Sequence, residues 1–335
     1  MSELRKERID RPIKARTDDI YALMGYREIS YLLLPRVLPI VVLLILPLIV
    51  PNLYYLRVLN IALSFAILAA SWDFLANYVG LVSLGHALFF GIGAYTAGAF
   101  SAYFDLPIFV TIPLATLIGA TISTALIYPT LKVRGIYFSL ITLAFPLLLA
   151  RLIEATDILG GTLGITDVEG FPNPWVESYL LIFSLIVVVF GLRRLLGEDL
   201  GIVLRAIKDN DLTVEASGIN VNKYRAIAVF ISSAIASFVG AYTAHSYMFV
   251  GLPYLNLEYS IFPIAATVVG GMSSIAGAAI GAFILVPLSE ALREFGTLRI
   301  AIYSLLLMLF IAIRPEGIYM FLWRKYHQIE RWVKA

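Results

Sequence analysis

The chain has 335 residues, 60% of them hydrophobic and 14% charged, with a net charge of +2 and no cysteine. A soluble chain carries roughly a quarter charged residues to cover its surface, so this composition excludes a water-soluble globular protein and describes a polytopic membrane protein. Without cysteine there are no disulfides, thiolate nucleophiles or cysteine metal sites.

The first thirty residues, MSELRKERIDRPIKARTDDIYALMGYREIS, are polar. A secretory signal places an apolar core directly behind a short basic region. None is present, so 1–32 is expected to be a retained cytoplasmic segment. Ten spans follow, at 33–50, 56–76, 84–103, 108–130, 136–153, 178–196, 226–249, 259–272, 275–292 and 298–313. The fold class is therefore all-α: a polytopic helix bundle of about ten transmembrane helices, some short or broken, each needing about 20 residues to cross. The eighth is too short to cross alone, and GGMSSIAGAAIGAF (Gly270–Phe283) behind it predicts a half-helix or a break. Residues 314–335 form a cytoplasmic tail.

With both termini inside, 21 of the 25 lysines and arginines fall on the cytoplasmic side, as topology set by basic loops requires. The exceptions are Arg57, Arg151, Arg293 and Arg299. The outer loop 154–177 is rich in glycine, proline and acid, with Glu154, Asp157, Asp167, Glu169 and Glu177. The inner loop 197–225 reads as two short helices. Leu200, Val203, Leu204 and Ile207 make an apolar stripe. Asp211 is placed to cap the second helix, Gly218 to end it and Asn222 to cap the next span. The stripe, cap and stop argue for a small rigid helix pair offered to a partner, against a plain solvated loop.

The third span begins SLGHALFFGIGAYTAG, Ser83–Gly98. Its small residues, Gly91 and Gly93 among them, either let helix backbones approach closely in lipid or line a route for solute together with Ser83. Gly270, Gly271, Gly277 and Gly281 form a second cluster with the same two readings. Asp73 and His86 flank a short turn and are expected to meet, as a hydrogen-bonded interfacial pair or as a proton relay. The chain has no G-x-x-x-x-G-K-[ST], no G-x-S-x-G and no metal-ligand spacing among His86, His245 and His327. No catalytic residue, metal site or cofactor is expected, and an enzyme is not.

GLVSLGHALFFGIGAYTAGAF, RGIYFSLITLAF, GGTLGI, LRAIKDNDLTVEASGINVNKYR, VVGGMSSIAGAAIGA and RPEGI occur in this order between about residues 35 and 320. Together they resemble the branched-chain amino acid ABC transporter permeases of the LivM type. The resemblance implies an integral permease subunit of an importer for branched-chain or related amino acids, in a bacterial or archaeal cell membrane (the inner membrane of a Gram-negative cell). It would pair with a LivH-type permease, two cytoplasmic ATPase subunits and an extracytoplasmic solute-binding protein, and bind no nucleic acid. It makes the inner loop a coupling element, here Asp209, Asp211, Leu212, Glu215, Ala216 and Gly218. The translocation path is expected at Ser83, His86, Gly91, Gly93, Gly270, Gly271, Gly277 and Gly281. Urea, amides and aromatic acids are alternative solutes within the family. A proton-driven secondary transporter using Asp73 and His86 is the alternative outside it.

Overall fold

A computed structural model describes residues 26–50, 52–296, 298–313 and 316–330. Among the described residues there is no strand, only an isolated antiparallel bridge between Ile165 and Val250. The helices are α1 Tyr26–Ile49, α2 Leu53–Asp73, α3 His86–Phe104, α4 Ile108–Ile127, α5 Ile136–Thr156, α6 Pro174–Gly197, α7 Asp199–Ala216, α8 Val221–Tyr247, α9 Glu258–Gly270, α10 Ile275–Ala291, α11 Leu298–Ile313 and α12 Gly317–Glu330. Residues 1–25 of the predicted N-terminal segment and 331–335 of the tail lie outside the described residues. Residues up to Ile49, including α1, form one unit, and Val50–Ala335 form another.

Apolar runs of this length become helices because a helix satisfies its own backbone groups, which hydrocarbon cannot do. Among the described residues, seven helical segments are long and apolar enough to cross a membrane: 53–78, 86–104, 108–132, 136–156, 174–197, 221–247 and 275–295. The other three predicted spans are also helical, as α1, α9 and α11. The expected half-helix is α9, whose 13 residues rise only about 20 Å. Polar side chains start several helices. Asn52 accepts from Tyr54 N, and Asn173 from Trp175 N with Pro174 at the first helical position. Ser274 accepts from Gly277 N at the head of α10.

Within the larger unit α3 packs along α8, α4 lies against both, α10 packs along α2, and α9 fits between α10 and α2. The apolar stretch of α2 is 78% buried, against 22% for α5, so α5 runs along the bundle's surface. Glycine lets the central pair close. A Cβ on Gly240 would stand 1.9 Å from Phe90 O, and one on Gly93 would stand 2.2 Å from Ser237 O. Ser237 Oγ donates to Phe89 O across the same crossing at 2.9 Å. The loop between α5 and α6 is pinned at one end of the bundle. His245 there contacts Thr111 Oγ1 and Glu169 O, both at 2.7 Å, and Glu169 Oε2 accepts from Ile108 N at the start of α4.

Candidate functional site

The α7 end of the bundle holds the predicted coupling residues. α7 is two helical pieces joined at Asn210, whose backbone is extended (φ −158, ψ 98). Asn210, and not Asp211, caps the second piece by accepting from Thr213 N at 3.1 Å. Asp211 lies one residue too late for that bond. It reaches sideways instead, to Arg134 and Arg225, at 3.0 Å from each. Likewise Asn220, not Asn222, caps α8 by accepting from Lys223 N. The expected stop is present. Gly218 has φ +82, its N–H reaches Glu215 O at 2.9 Å, and Ile219 N reaches Val214 O at 3.4 Å. That is the paired closure of a Schellman turn, with Ile219 packed on the Val214 cluster as such turns favour.

The apolar stripe of α7 faces inward. Leu204 and Ile207 are buried, Leu200 and Val203 half-buried, and Ile207 packs with Val214 and Val221. The stripe therefore anchors the pair to its own bundle. What is offered outward is the opposite face: Asp209, Leu212, Glu215, Ala216 and Gly218 are all exposed, Leu212 at 57%. Beside them lies a groove lined by Lys132, Arg134, Asp211, Glu215, Asn220 and Arg225.

A hydrogen-bonded chain leads from α7 into the bundle. Lys208 Nζ donates to Asn77 O at 2.8 Å, and its stem lies over Gly80, whose φ of +81 turns the chain away from α2. Asn77 lies in a π-helical turn, Phe74–Tyr78, that continues α2; such turns recur at functional positions. Asn77 Nδ2 donates to Asp73 Oδ1 at 2.7 Å. The same oxygen accepts from Ser273 N at 2.9 Å, while Tyr78 OH donates to Ser273 O at 2.5 Å. Ser273 sits in the predicted break between α9 and α10 with φ +62. Both of its backbone groups are thus satisfied by side chains of α2, as non-helical backbone within a bundle requires. α12 closes on the same break: a Cβ on Gly317 would stand 2.4 Å from Gly271 Cα.

Asp73 and His86 have separate partners. His86 Nε2 lies 3.3 Å from Ser232 Oγ and 3.5 Å from Ser71 Oγ, and those two hydroxyls are 2.9 Å apart. Asp73 turns to the break instead. All eight predicted path residues are buried. Ser83 Oγ accepts from Gly85 N, and Ser83 O accepts from Trp72 Nε1. Gly91 faces Leu255, and Gly93 faces Ser237. Gly270, Gly277 and Gly281 mesh at the α9–α10 crossing, where Cβ atoms on Gly270 and Gly281 would stand within 2 Å of carbonyl oxygens. Gly271, with φ +125, opens the break.

A cleft at the opposite end of the bundle escaped the sequence reading. It has a volume of about 90 Å³ and is lined by Arg57, Asn60, Ser64, Phe65, Phe90, Glu177, Tyr242, Ser246 and Tyr259, among others. Its residues come from five helices, so no local pattern marks them. Arg57 and Glu177 were visible only as charges at helix ends. Asn77 and Tyr78 carried a faint signal, as polar groups one turn beyond Asp73.

The chain is 28% identical over 290 residues to the high-affinity branched-chain amino acid transport system permease protein LivM of Escherichia coli strain K12, covering 77% of this chain and 68% of that one. It is also 28% identical over 262 residues to the probable branched-chain amino acid transport permease protein LivM of Methanocaldococcus jannaschii, covering 69% and 75%. The ribose import permease protein RbsC of Haemophilus influenzae is 30% identical over 252 residues, covering 68% and 73%. The profile of the branched-chain amino acid transport system permease component matches residues 54–313, from α2 to the end of α11, and the chain belongs to that family of ABC transporter permeases.

Proposed function

We propose that this protein is the LivM-type half of the membrane channel of an importer for branched-chain amino acids. A second, LivH-type permease completes the channel. Two cytoplasmic ATPase subunits dock on the α7 end, and an external solute-binding protein delivers the amino acid to the other end. The predicted boundaries fit this division of labour, with residues 33–313 in the membrane and 197–225 as the cytoplasmic coupling loop. The carrying observation is the exposed turn Asp209–Gly218. It is anchored from within by Ile207 and Val214 and presents Leu212 outward. Leu212 is the apolar group that this ion-paired, Schellman-closed turn would bring to a docked subunit.

The same turn has a route inward. A push on α7 moves Lys208 against the π-helical turn, and that turn holds the α9–α10 break through Asp73 and Tyr78. In this mechanism Gly270, Gly271, Gly277 and Gly281 form the surface on which α9 and α10 shift. Gly91 and Gly93, with Ser83 and His86, form the wall they shift against. Small residues keep helices close without interlocking them, as rocking motions need. A relative 30% identical over 252 residues is a ribose import permease, so solutes other than amino acids occur among the chain's relatives. A proton-driven carrier is disfavoured by the separate partners of Asp73 and His86.

Purification in mild detergent tests the reading. The expected result is co-purification of two ATPase subunits and a second permease, with ATP hydrolysis stimulated by leucine-loaded binding protein. A chain that purifies alone and takes up leucine on a proton gradient overturns it.

A further inference from the structure

We propose that the cleft among α2, α3, α6, α8 and α9 is a binding site for a zwitterionic aliphatic α-amino acid, with Arg57 holding its carboxylate and Glu177 its ammonium. The proposal rests on the amino-acid reading above and gives the permease a solute site of its own, at the end of the bundle remote from α7.

Three groups in the cleft have unused capacity. Arg57 is exposed and makes no ion pair among the described residues. Glu177 is half-buried, and its Oε1 accepts both Tyr242 OH, at 2.8 Å, and Ser246 Oγ. Those two donors fix the carboxylate, and among the described residues none bonds to Oε2. Asn60 is buried, and its Oδ1 accepts from Ser178 Oγ at 2.8 Å, which leaves its Nδ2 group free to donate. A guanidinium matches a carboxylate in bidentate geometry, and an ammonium has three donors and needs acceptors.

Arg57 and Glu177 face one cleft and yet do not pair with each other within 4.0 Å. Two opposite charges held near each other and left unpaired fit a ligand that brings its own opposite charges. An α-amino acid does so, with its ammonium and carboxylate on one carbon. A neutral sugar or amide brings no charge of its own to pair with either. The floor decides the side chain. Phe90 stacks on Tyr259 with centroids 4.0 Å apart, and Phe65 stacks on Tyr259 at 5.8 Å. These stacked rings give the cleft, of about 90 Å³, an apolar wall against which an aliphatic side chain can lie.

The test uses the whole complex in proteoliposomes, with binding protein and ATP, and follows leucine uptake alongside the melting temperature of each variant. Arg57→Ala and Glu177→Gln are each expected to cut uptake about tenfold, the worth of one charge-assisted hydrogen bond. Gln keeps an acceptor for Tyr242 and Ser246, so folding is expected to hold. Arg57→Lys, which keeps the cation, is expected to restore most uptake. Arg151→Ala is expected to leave it unchanged, because Arg151 pairs with Glu154 outside the cleft. Wild-type uptake of leucine with full uptake by both Arg57→Ala and Glu177→Gln overturns the site alone. A wild-type complex that takes up no aliphatic amino acid overturns the functional reading and the site with it.

Discussion

Two crossings in this bundle are built from small residues, and they do different work. Where α3 meets α8, the helices have 19 and 27 residues and run on past the contact. Gly93 and Gly240 let the backbones touch, and Ser237 bonds across to Phe89 O. Where α9 meets α10, the helices have 13 and 17 residues and are joined by the break they form. Gly270, Gly277 and Gly281 again let the backbones touch, but the break itself is held by Asp73 and Tyr78 of α2 and by Gly317 of α12. The same residue chemistry serves a clasp in one place and a pivot in the other. What separates them is whether a third element grips the backbone at the contact.

The largest expected effect comes from adding one methyl group to each crossing. In Gly240→Ala the new Cβ meets Phe90 O at 1.9 Å, a backbone atom in the middle of two continuous helices. Overpacking of this kind costs roughly 1–3 kcal/mol or more, so a large fall in melting temperature and in yield of folded protein is expected. In Gly277→Ala the nearest atoms lie at 3.0–3.1 Å and belong to the break itself. That variant is expected to fold with a small fall in melting temperature and to lose transport disproportionately. Equal melting temperatures for the two variants would erase the distinction between clasp and pivot.

Next in size is the grip on the pivot. Tyr78→Phe removes the donor to Ser273 O and leaves that carbonyl without its partner. Ser273 is exposed, so water can take the donor's place and the stability cost is small, but the tether between the π-helical turn and the break is lost. Leucine uptake per ATP hydrolysed is expected to fall several-fold while basal hydrolysis persists. A Tyr78→Phe complex with wild-type coupling shows that the break moves without α2.

Gly218→Val acts further out, at the turn offered to the ATPase. A Cβ there meets no atom within 4 Å, so the strain comes only from its φ of +82, worth about 1 kcal/mol. The fold is expected to survive, with melting temperature nearly unchanged. Stimulation of ATP hydrolysis by loaded binding protein is expected to drop, because the Schellman closure that sets Leu212 loosens. Full stimulation in this variant detaches the turn from coupling.

The contrast also marks what a single sequence discloses. The spans were legible because hydrophobic runs of crossing length have one structural outcome in lipid. The break was legible because GGMSS cannot continue a helix well. The Gly218 stop was legible because left-handed backbone favours glycine. Asp211 and Asn222 were mistaken for caps because several Asp and Asn residues crowd each helix start, and one residue of register decides which side chain reaches the free N–H. The inward direction of the α7 stripe was hidden, since periodicity shows that a face is apolar and not what covers it. The cleft was hidden most fully: Arg57, Asn60, Glu177 and Tyr242 meet only after α2, α6 and α8 have packed.

The smallest expected effect separates a polar core from a proton path. His86 stands at the first turn of α3, fully buried, with Nε2 near Ser71 and Ser232, and its ring edge-on to Phe89 at 5.2 Å. Its Nδ1 has no hydrogen-bond partner. A proton relay needs an acceptor on each side of the ring, and among the described residues only Nε2 has one. The two serines also bond each other and the backbone: Ser71 Oγ donates to Ser232 O at 2.9 Å, and Ser232 Oγ to Ser71 O at 3.2 Å. The arrangement ties α2, α3 and α8 together whether or not the ring carries a charge. Gln has one polar group at nearly the same reach, can accept from or donate to either serine, and carries no titrating proton. His86→Gln is therefore expected to lower the melting temperature slightly, through lost packing on Phe89, and to keep most leucine uptake with an unchanged pH profile. His86→Leu strands both hydroxyls' third partner and is expected to cost more in stability than His86→Gln, with transport following the amount of folded complex. If His86→Gln assembles normally but abolishes uptake, or flattens its dependence on pH, the ring is moving protons, and the central crossing is more than a clasp.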